Sequence, residues 1–174
     1  MRKVILYTAV SIDGFIARED GNIDWLSSYN NENNDDHGYN SFYENIDITL
    51  IGRKTYQQIL SFPCHFPYPD KKNYVFSHEK QKANEFVEFI NDDVYEFVKQ
   101  LKSQSGKDIW LVGGAQLNKT LLNLGLLDEM ILTIIPVVLG KGIHLFGQQS
   151  IEQQFKYSDT KIFPTGCVQI KYTI

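Results

Sequence analysis

With 174 residues, the chain is long enough for one domain, expected over residues 1–174, that buries about 70% of its unfolded surface. A net charge of −4 without a basic stripe argues against a general nucleic-acid binder, while a local basic pocket for one phosphorylated ligand stays compatible with it. No apolar run approaches the ~20 residues needed to cross a bilayer, Met1-Arg2-Lys3-Val4 leads straight into a strand pattern, and Cys64 and Cys167 cannot be paired by inspection; the cytoplasm is the expected compartment.

Lys3 to Val10 is apolar almost throughout and reads as a central strand. Asp13-Gly14 then signals a turn, and an aspartate there either serves its own turn through backbone hydrogen bonds or stands as an acid. Asp20-Gly21-Asn22 marks another turn before Ile23-Asp24-Trp25-Leu26, where Trp25 is a core anchor or a wall for a planar substrate. Asn30 to Asp36 is a polar, acidic loop, either plain surface or a substrate lid. His37 to Asn45 carries Tyr39, Phe42 and Tyr43 at helical intervals and predicts a short amphipathic helix.

Ile48 to Ile51 predicts a second buried strand, which runs into Gly52-Arg53-Lys54-Thr55 at a helix start. Cations at a helix N-terminus oppose the dipole by a few tenths of a kcal/mol, so a pair of them invites a functional reason, and an anionic phosphate supplies one. Pro63, Pro67 and Pro69 make Ser61 to Lys72 irregular. Asn73 to Ser77 is a third strand ending on a hydroxyl, and Phe86 to Ile90 a short fourth. Asp92 or Asp93 caps a helix that runs to about Ser103. The next strand, Ile109 to Val112, meets Gly113-Gly114 and then a helix over Ala115 to Leu124, an order that places bare main-chain N–H groups at the positive end of a helix dipole. Met130 to Leu139 is a long apolar strand interrupted by Pro136, which predicts a bulge or an edge. Gly140-Lys141-Gly142 turns the chain, and Phe155 to Phe163 with Cys167 to Thr173 predicts a closing hairpin around Pro164-Thr165-Gly166. Strands at both ends with alternating helices between them give an α/β class and a mixed sheet.

Ser11-x-Asp13-Gly14-x-Ile16-Ala17, Gly52 to Thr55, Phe76-Ser77, Gly113 to Gln116, and Pro136-x-x-x-Gly140-x-Gly142 followed by Leu145-Phe146 occur together. In this combination the chain resembles the dihydrofolate-reductase-like superfamily. It is most similar to the branch related to the C-terminal reductase domain of bacterial riboflavin-biosynthesis proteins. The resemblance implies a three-layer α/β/α fold, a mixed central sheet flanked by helices, NADPH as cofactor, and a homodimer. It places Gly113, Gly114, Ala115, Gln116 and Leu117 at the cofactor pyrophosphate. Gly52, Arg53, Lys54 and Thr55 fall at the cofactor phosphates, with Phe76 and Ser77 beside the adenosine. Ala9 and Ile16 fall at the nicotinamide carboxamide, and Thr133 near the substrate.

The chain also departs from that branch. Val112 replaces a glutamate before the glycine pair, Tyr7 a lysine two residues before Ala9, and Phe15 a lysine after Asp13-Gly14. Missing cations weaken the case for a ribosyl-phosphate substrate. A dihydrofolate reductase requires a carboxylate on its first helix, for which Asp36, beside His37, is the nearest candidate. The candidate proton donors are Asp36, His37 and Asp13, and the candidate substrate contacts are Trp25, Tyr39, Tyr43 and Thr133. The histidines at 37, 65, 78 and 144 show no ligand spacing, so no metal is expected. The expected function is an NADPH-dependent reductase of a small heterocyclic or carbonyl substrate, resembling 5-amino-6-(5-phosphoribosylamino)uracil reductase. The alternatives are a dihydrofolate or pterin reductase, and a nucleotide-binding module without catalysis.

Overall fold

The computed structural model describes residues 1–29, 36–148 and 150–174. In chain order its strands are β1 (Val4–Ser11), β2 (Phe15–Ala17), β3 (Ile46–Gly52), β4 (Lys72–Phe76), β5 (Val87–Ile90), β6 (Asp108–Gly113), β7 (Glu129–Ile135), β8 (Ile143–His144), β9 (Lys156–Ile162) and β10 (Val168–Thr173). The helices are α1 (Tyr39–Glu44), α2 (Arg53–Ser61), α3 (Val94–Ser103) and α4 (Ala115–Asn123), with a 3₁₀ segment over Asp24–Tyr29.

One eight-stranded sheet, in the order β5-β4-β3-β6-β1-β7-β10-β9, runs through the molecule, and β2 pairs with β8 beside it. β5, β4, β3, β6, β1 and β7 are parallel, whereas β10 runs antiparallel to both of its neighbours. β1 is central, with Leu6 opposite Leu111 on one side and Ala9 opposite Thr133 on the other. Its continuous apolar run follows from being covered on both faces. On one face Val4, Leu6, Leu50, Ile109 and Leu111 pack with Val98 and Leu101 of α3 and Leu117 and Leu121 of α4. On the other, Ile51 and Val75 pack against Tyr56 and Ile59 of α2. α1 covers the same side, where Phe42 stacks on Tyr7 at 4.2 Å between ring centroids. The result is the three-layer α/β/α arrangement.

The strand predicted to reach Leu139 stops at Ile135. Pro136 has no N–H to donate to a ladder, so it ends β7 at its first residue outside instead of making a bulge or edge within it. The small β2–β8 sheet has no counterpart in the sequence reading, because two- and three-residue strands show no periodicity. The polar loop anticipated from Asn30 lies outside the described residues as far as position 35. Among the described residues, no helix is long and apolar enough to cross a membrane.

Candidate functional site

Parallel strands bring their carboxyl ends, and the helix starts that follow them, to one edge of the sheet, where ligands gather in open α/β folds. β3 and β6 are direct neighbours, with Ile51 opposite Gly113. Gly52 and Gly113-Gly114 therefore meet. A Cβ on Gly52 would lie 3.3 Å from the Gly113 carbonyl oxygen, and one on Gly114 would lie 2.8 Å from Thr55 Oγ1. Gly113 has φ +103°, a region that disfavours any other residue, and a Cβ there would lie 2.9 Å from Asn118 Oδ1. The Gly113–Gly114 peptide is cis.

α2 and α4 thus begin side by side, each preceded by glycine and neither with a side-chain cap. α3 differs: Asp93 accepts from the Glu96 amide at 3.0 Å. First-turn amides without a side-chain partner, at the positive ends of two helix dipoles, form a cradle for an anion. Arg53 stands at its rim, donating from Nη1 to Glu79 Oε2 at 2.5 Å, and Lys54 is exposed next to it. The buried Ser77 shapes the turn that presents Glu79, since its Oγ donates to the Glu79 carbonyl at 2.9 Å and accepts from the Glu79 amide at 3.2 Å. Phe76 packs edge-on against Phe97 at 5.8 Å. Ala115 and Gln116 occupy the first turn of α4, while the side chain of Leu117 is in the core, leaving its main chain to serve a ligand.

Next to this edge, over β1 and β7, lies a cleft of about 180 Å³. Of the residues singled out from sequence, Ala9, Asp36, His37, Tyr39 and Thr133 line it. Two substrate candidates do not. Trp25 is buried against Ile135 and Cys167, which is the core-anchor role. Tyr43 turns outward, its hydroxyl donating to Asp70 while the Lys71 ammonium sits 3.9 Å from its ring centre. Both belong to the scaffold behind the cleft. Ile16 lies in β2, whose strand begins where the Phe15 amide donates to Ser11 Oγ at 3.0 Å.

The three acid candidates separate clearly. Asp13 accepts from Ser11 Oγ at 2.6 Å, the Leu139 amide at 3.1 Å and the Gly140 amide at 2.7 Å. The Ser11 hydroxyl and these amides hold its carboxyl down at about 2, so it staples two loops and has no proton to give near neutrality. Asp36 accepts from the Asn40 amide at 2.8 Å and the Gly38 amide at 2.9 Å, which keep it below the usual carboxylate range. It is an ionised wall of the cleft. His37 has φ +52°, places Nε2 3.2 Å from Thr165 Oγ1, and packs edge-on to Phe163 at 4.6 Å. Burial raises the phenols of Tyr7 and Tyr39, the latter to about 12, so both keep their protons.

Sequence reading passed over Gln169. It sits opposite Thr133 in the β7–β10 ladder and donates to Thr133 Oγ1 and to the His37 carbonyl, each at 3.0 Å. The closing strand alternates Val168-Gln169-Ile170-Lys171-Tyr172-Thr173, so Gln169 reads from sequence like any polar residue of a half-exposed strand and gives no signal of its own. Among the described residues, no lysine or arginine lines the cleft; Lys161 approaches its outside at Gly38, where a Cβ would lie 3.9 Å from Nζ. Nor do the described residues hold a group of three or more His, Cys, Asp or Glu side chains placed for a metal ion.

Comparison with known proteins agrees with this geometry. The family described as the RibD C-terminal domain matches residues 2–170. YwjB, an uncharacterized protein of Bacillus subtilis (strain 168), is 42% identical over 98% of this chain and 97% of its own. A solved Shewanella sp. PV-4 protein described as a riboflavin biosynthesis protein superposes with TM-score 0.89 at 29% identity, covering 98% of each chain. Two more distant structures share the fold. The deaminase/5-amino-6-(5-phosphoribosylamino)uracil reductase of Thermotoga maritima gives TM-score 0.75 at 15% identity over 99% of this chain and 56% of its own. Dihydrofolate reductase of Enterococcus faecalis, complexed with NADP(H), gives 0.71 at 17% identity over 98% of this chain and 95% of its own. A match of this extent settles the family: the chain belongs to the RibD C-terminal domain family.

Proposed function

We propose that the protein is an NADPH-dependent reductase of a small, planar heterocyclic or carbonyl substrate. The observation that carries this reading is the pairing of two uncapped helix starts at Gly52 and Gly113-Gly114, next to a cleft over Ala9 and Thr133. The residues present fit the cofactor. Glycines leave the cradle open where a Cβ would fill it, first-turn amides of α2 and α4 would hold phosphates, and Arg53 with Lys54 would favour a 2′-phosphate. When bound, NADPH supplies a hydride from its nicotinamide ring. The chain's own part is to orient the two reactants and exclude water, which the apolar and aromatic cleft walls do. Asp36 offers a negative charge to a substrate N–H, while Asp13 keeps the loops around the cleft in register. Calorimetric titration tests the reading: NADPH should bind more tightly than NADH, and absence of binding by either would end it.

The narrower activity, reduction of 5-amino-6-(5-phosphoribosylamino)uracil, has the name of the Thermotoga structure behind it. The cleft's charge runs the other way, because its described lining offers Asp36 and His37 but no lysine or arginine for a phosphate. Complementation of a riboflavin auxotroph lacking only that reductase decides between them, and we expect no growth. A homodimer across the outer strand completes the proposal. β9 is the last strand of the sheet and exposed along its whole length, and its free edge, with Tyr157 and Ile162 standing 67% and 78% open among polar neighbours, is where a second copy would pair. Sedimentation of the wild type against Ile162→Lys tests it.

A further inference from the structure

The buried amide of Gln169 ties together three groups beneath the cleft. Its Nε2 lies 3.0 Å from the His37 carbonyl oxygen, 3.0 Å from Thr133 Oγ1 and 3.4 Å from the Tyr7 hydroxyl. These partners leave one arrangement. A backbone carbonyl can only accept, so the amide nitrogen and not its oxygen must face His37. Thr133 Oγ1 meets the same nitrogen, which can only donate. The threonine hydroxyl therefore accepts from Gln169 and keeps its own proton. The Tyr7 hydroxyl, 3.2 Å from the same carbonyl, spends its proton there. Gln169 and Thr133 are 8% and 7% exposed, so water does not compete for these bonds, and turning the amide over would set two acceptors against each other. Thr133 lines the cleft, so its proton is presented to whatever binds there.

We propose that Gln169 is a positioning residue that fixes Thr133 as a hydrogen-bond donor to the substrate, which accordingly turns a carbonyl oxygen toward it. An amino group in that place would leave the Thr133 proton unpaired in a dry site. The inference rests on the cleft being the substrate site of the reductase proposed above.

Two probes on the same ring separate the cases: uracil, with carbonyl acceptors, and 2,4-diaminopyrimidine, with amino donors in their place. Affinities are read from the methyl resonances of Thr133 and Ile135 in threonine- and isoleucine-labelled protein, with and without NADPH. Thr133→Val should weaken uracil about tenfold, the order of one buried hydrogen bond, and change 2,4-diaminopyrimidine by less than about threefold; Thr133→Ser should restore uracil. Gln169→Glu at about pH 8, where its carboxylate can only accept, takes the Thr133 proton. The uracil-to-diaminopyrimidine affinity ratio should then fall about tenfold. Equal weakening of both probes in either Thr133→Val or Gln169→Glu would mark a merely structural role and overturn the proposal, as would the failure of both probes to shift the methyls. If Gln169→Glu does not fold, the Thr133→Val and Thr133→Ser pair decides alone. NADPH titrated into the same samples reports separately on the cofactor reading, so the two can fail independently.

Discussion

Gly114→Ala probes the shared cradle with a single methyl group. Gly114 has φ −80° and ψ −164°, an extended conformation that alanine also adopts, so φ and ψ do not oppose the substitution. Its effect is steric: the new Cβ would lie 2.8 Å from Thr55 Oγ1. Real contacts of this kind are rarely under about 3.4 Å, so Thr55 must rotate or the α4 start must shift away from α2. Overpacking of this size costs about 1 kcal/mol, at the low end because a threonine hydroxyl can move. The functional loss should be larger, since each hydrogen bond from a main-chain amide to a charged phosphate contributes about 1.5–3 kcal/mol, and moving one helix start breaks the shared alignment. That corresponds to roughly tenfold to a hundredfold weaker NADPH binding. Urea unfolding followed by tryptophan fluorescence gives the first quantity and calorimetry the second. Pairing Gly114→Ala with Thr55→Ala should recover stability, because the clashing oxygen is gone, and should recover affinity only in part, because the proposed site also uses Thr55. NADPH binding by Gly114→Ala within twofold of wild type would refute the idea that a phosphate approaches this backbone.

Arg53→Ala should reduce NADPH affinity about tenfold and leave NADH nearly unchanged, because the proposed site sets the guanidinium against the 2′-phosphate; equal losses for the two cofactors would place Arg53 elsewhere. Asp93→Ala should destabilise by about 1 kcal/mol in urea by removing the cap on the Glu96 amide, with NADPH affinity unaffected. Leu111→Ala, at a position 0% exposed in the central sheet, should cost about 2–5 kcal/mol. Glu129 sets an acid limit. Burial opposes its charge, but hydrogen bonds from Lys171, at 2.8 Å, and from Lys3 outweigh burial and leave the carboxyl lowered. A lowered folded-state pKa contributes stability at pH above the unfolded carboxylate value, and that contribution is lost as pH falls through the folded value. Wild type should therefore lose stability in mild acid faster than Glu129→Gln, and parallel pH profiles would show that the ion pairs contribute nothing.

Local sequence carried a great deal of this. Continuous apolar runs marked β1, β3 and β6 as buried strands, because a strand covered on both faces has no reason to alternate. Asp92-Asp93 announced the start of α3, with the choice between them left to the structure, and the glycines before α2 and α4 announced helix starts built without side-chain caps. Those signals are written in neighbouring residues, so they survive without knowledge of the fold. Trp25 and Tyr43 were ambiguous for the opposite reason: an aromatic side chain suits a core and a cleft equally, and its direction depends on what packs beside it. Thr133 was placed near the substrate, but its partner was not foreseen. Gln169 lies 36 residues further along the chain and meets Thr133 only because β10 pairs antiparallel to β7 in one register. Likewise, Asp13 and Gly140 are 127 residues apart and meet through a carboxylate that the chemistry of a turn could equally have kept for itself. Periodicity and turn chemistry are short-range properties and were legible from the chain. Which hydroxyl keeps its proton, and which acid has lost one, was decided by contacts that exist only once the sheet has closed.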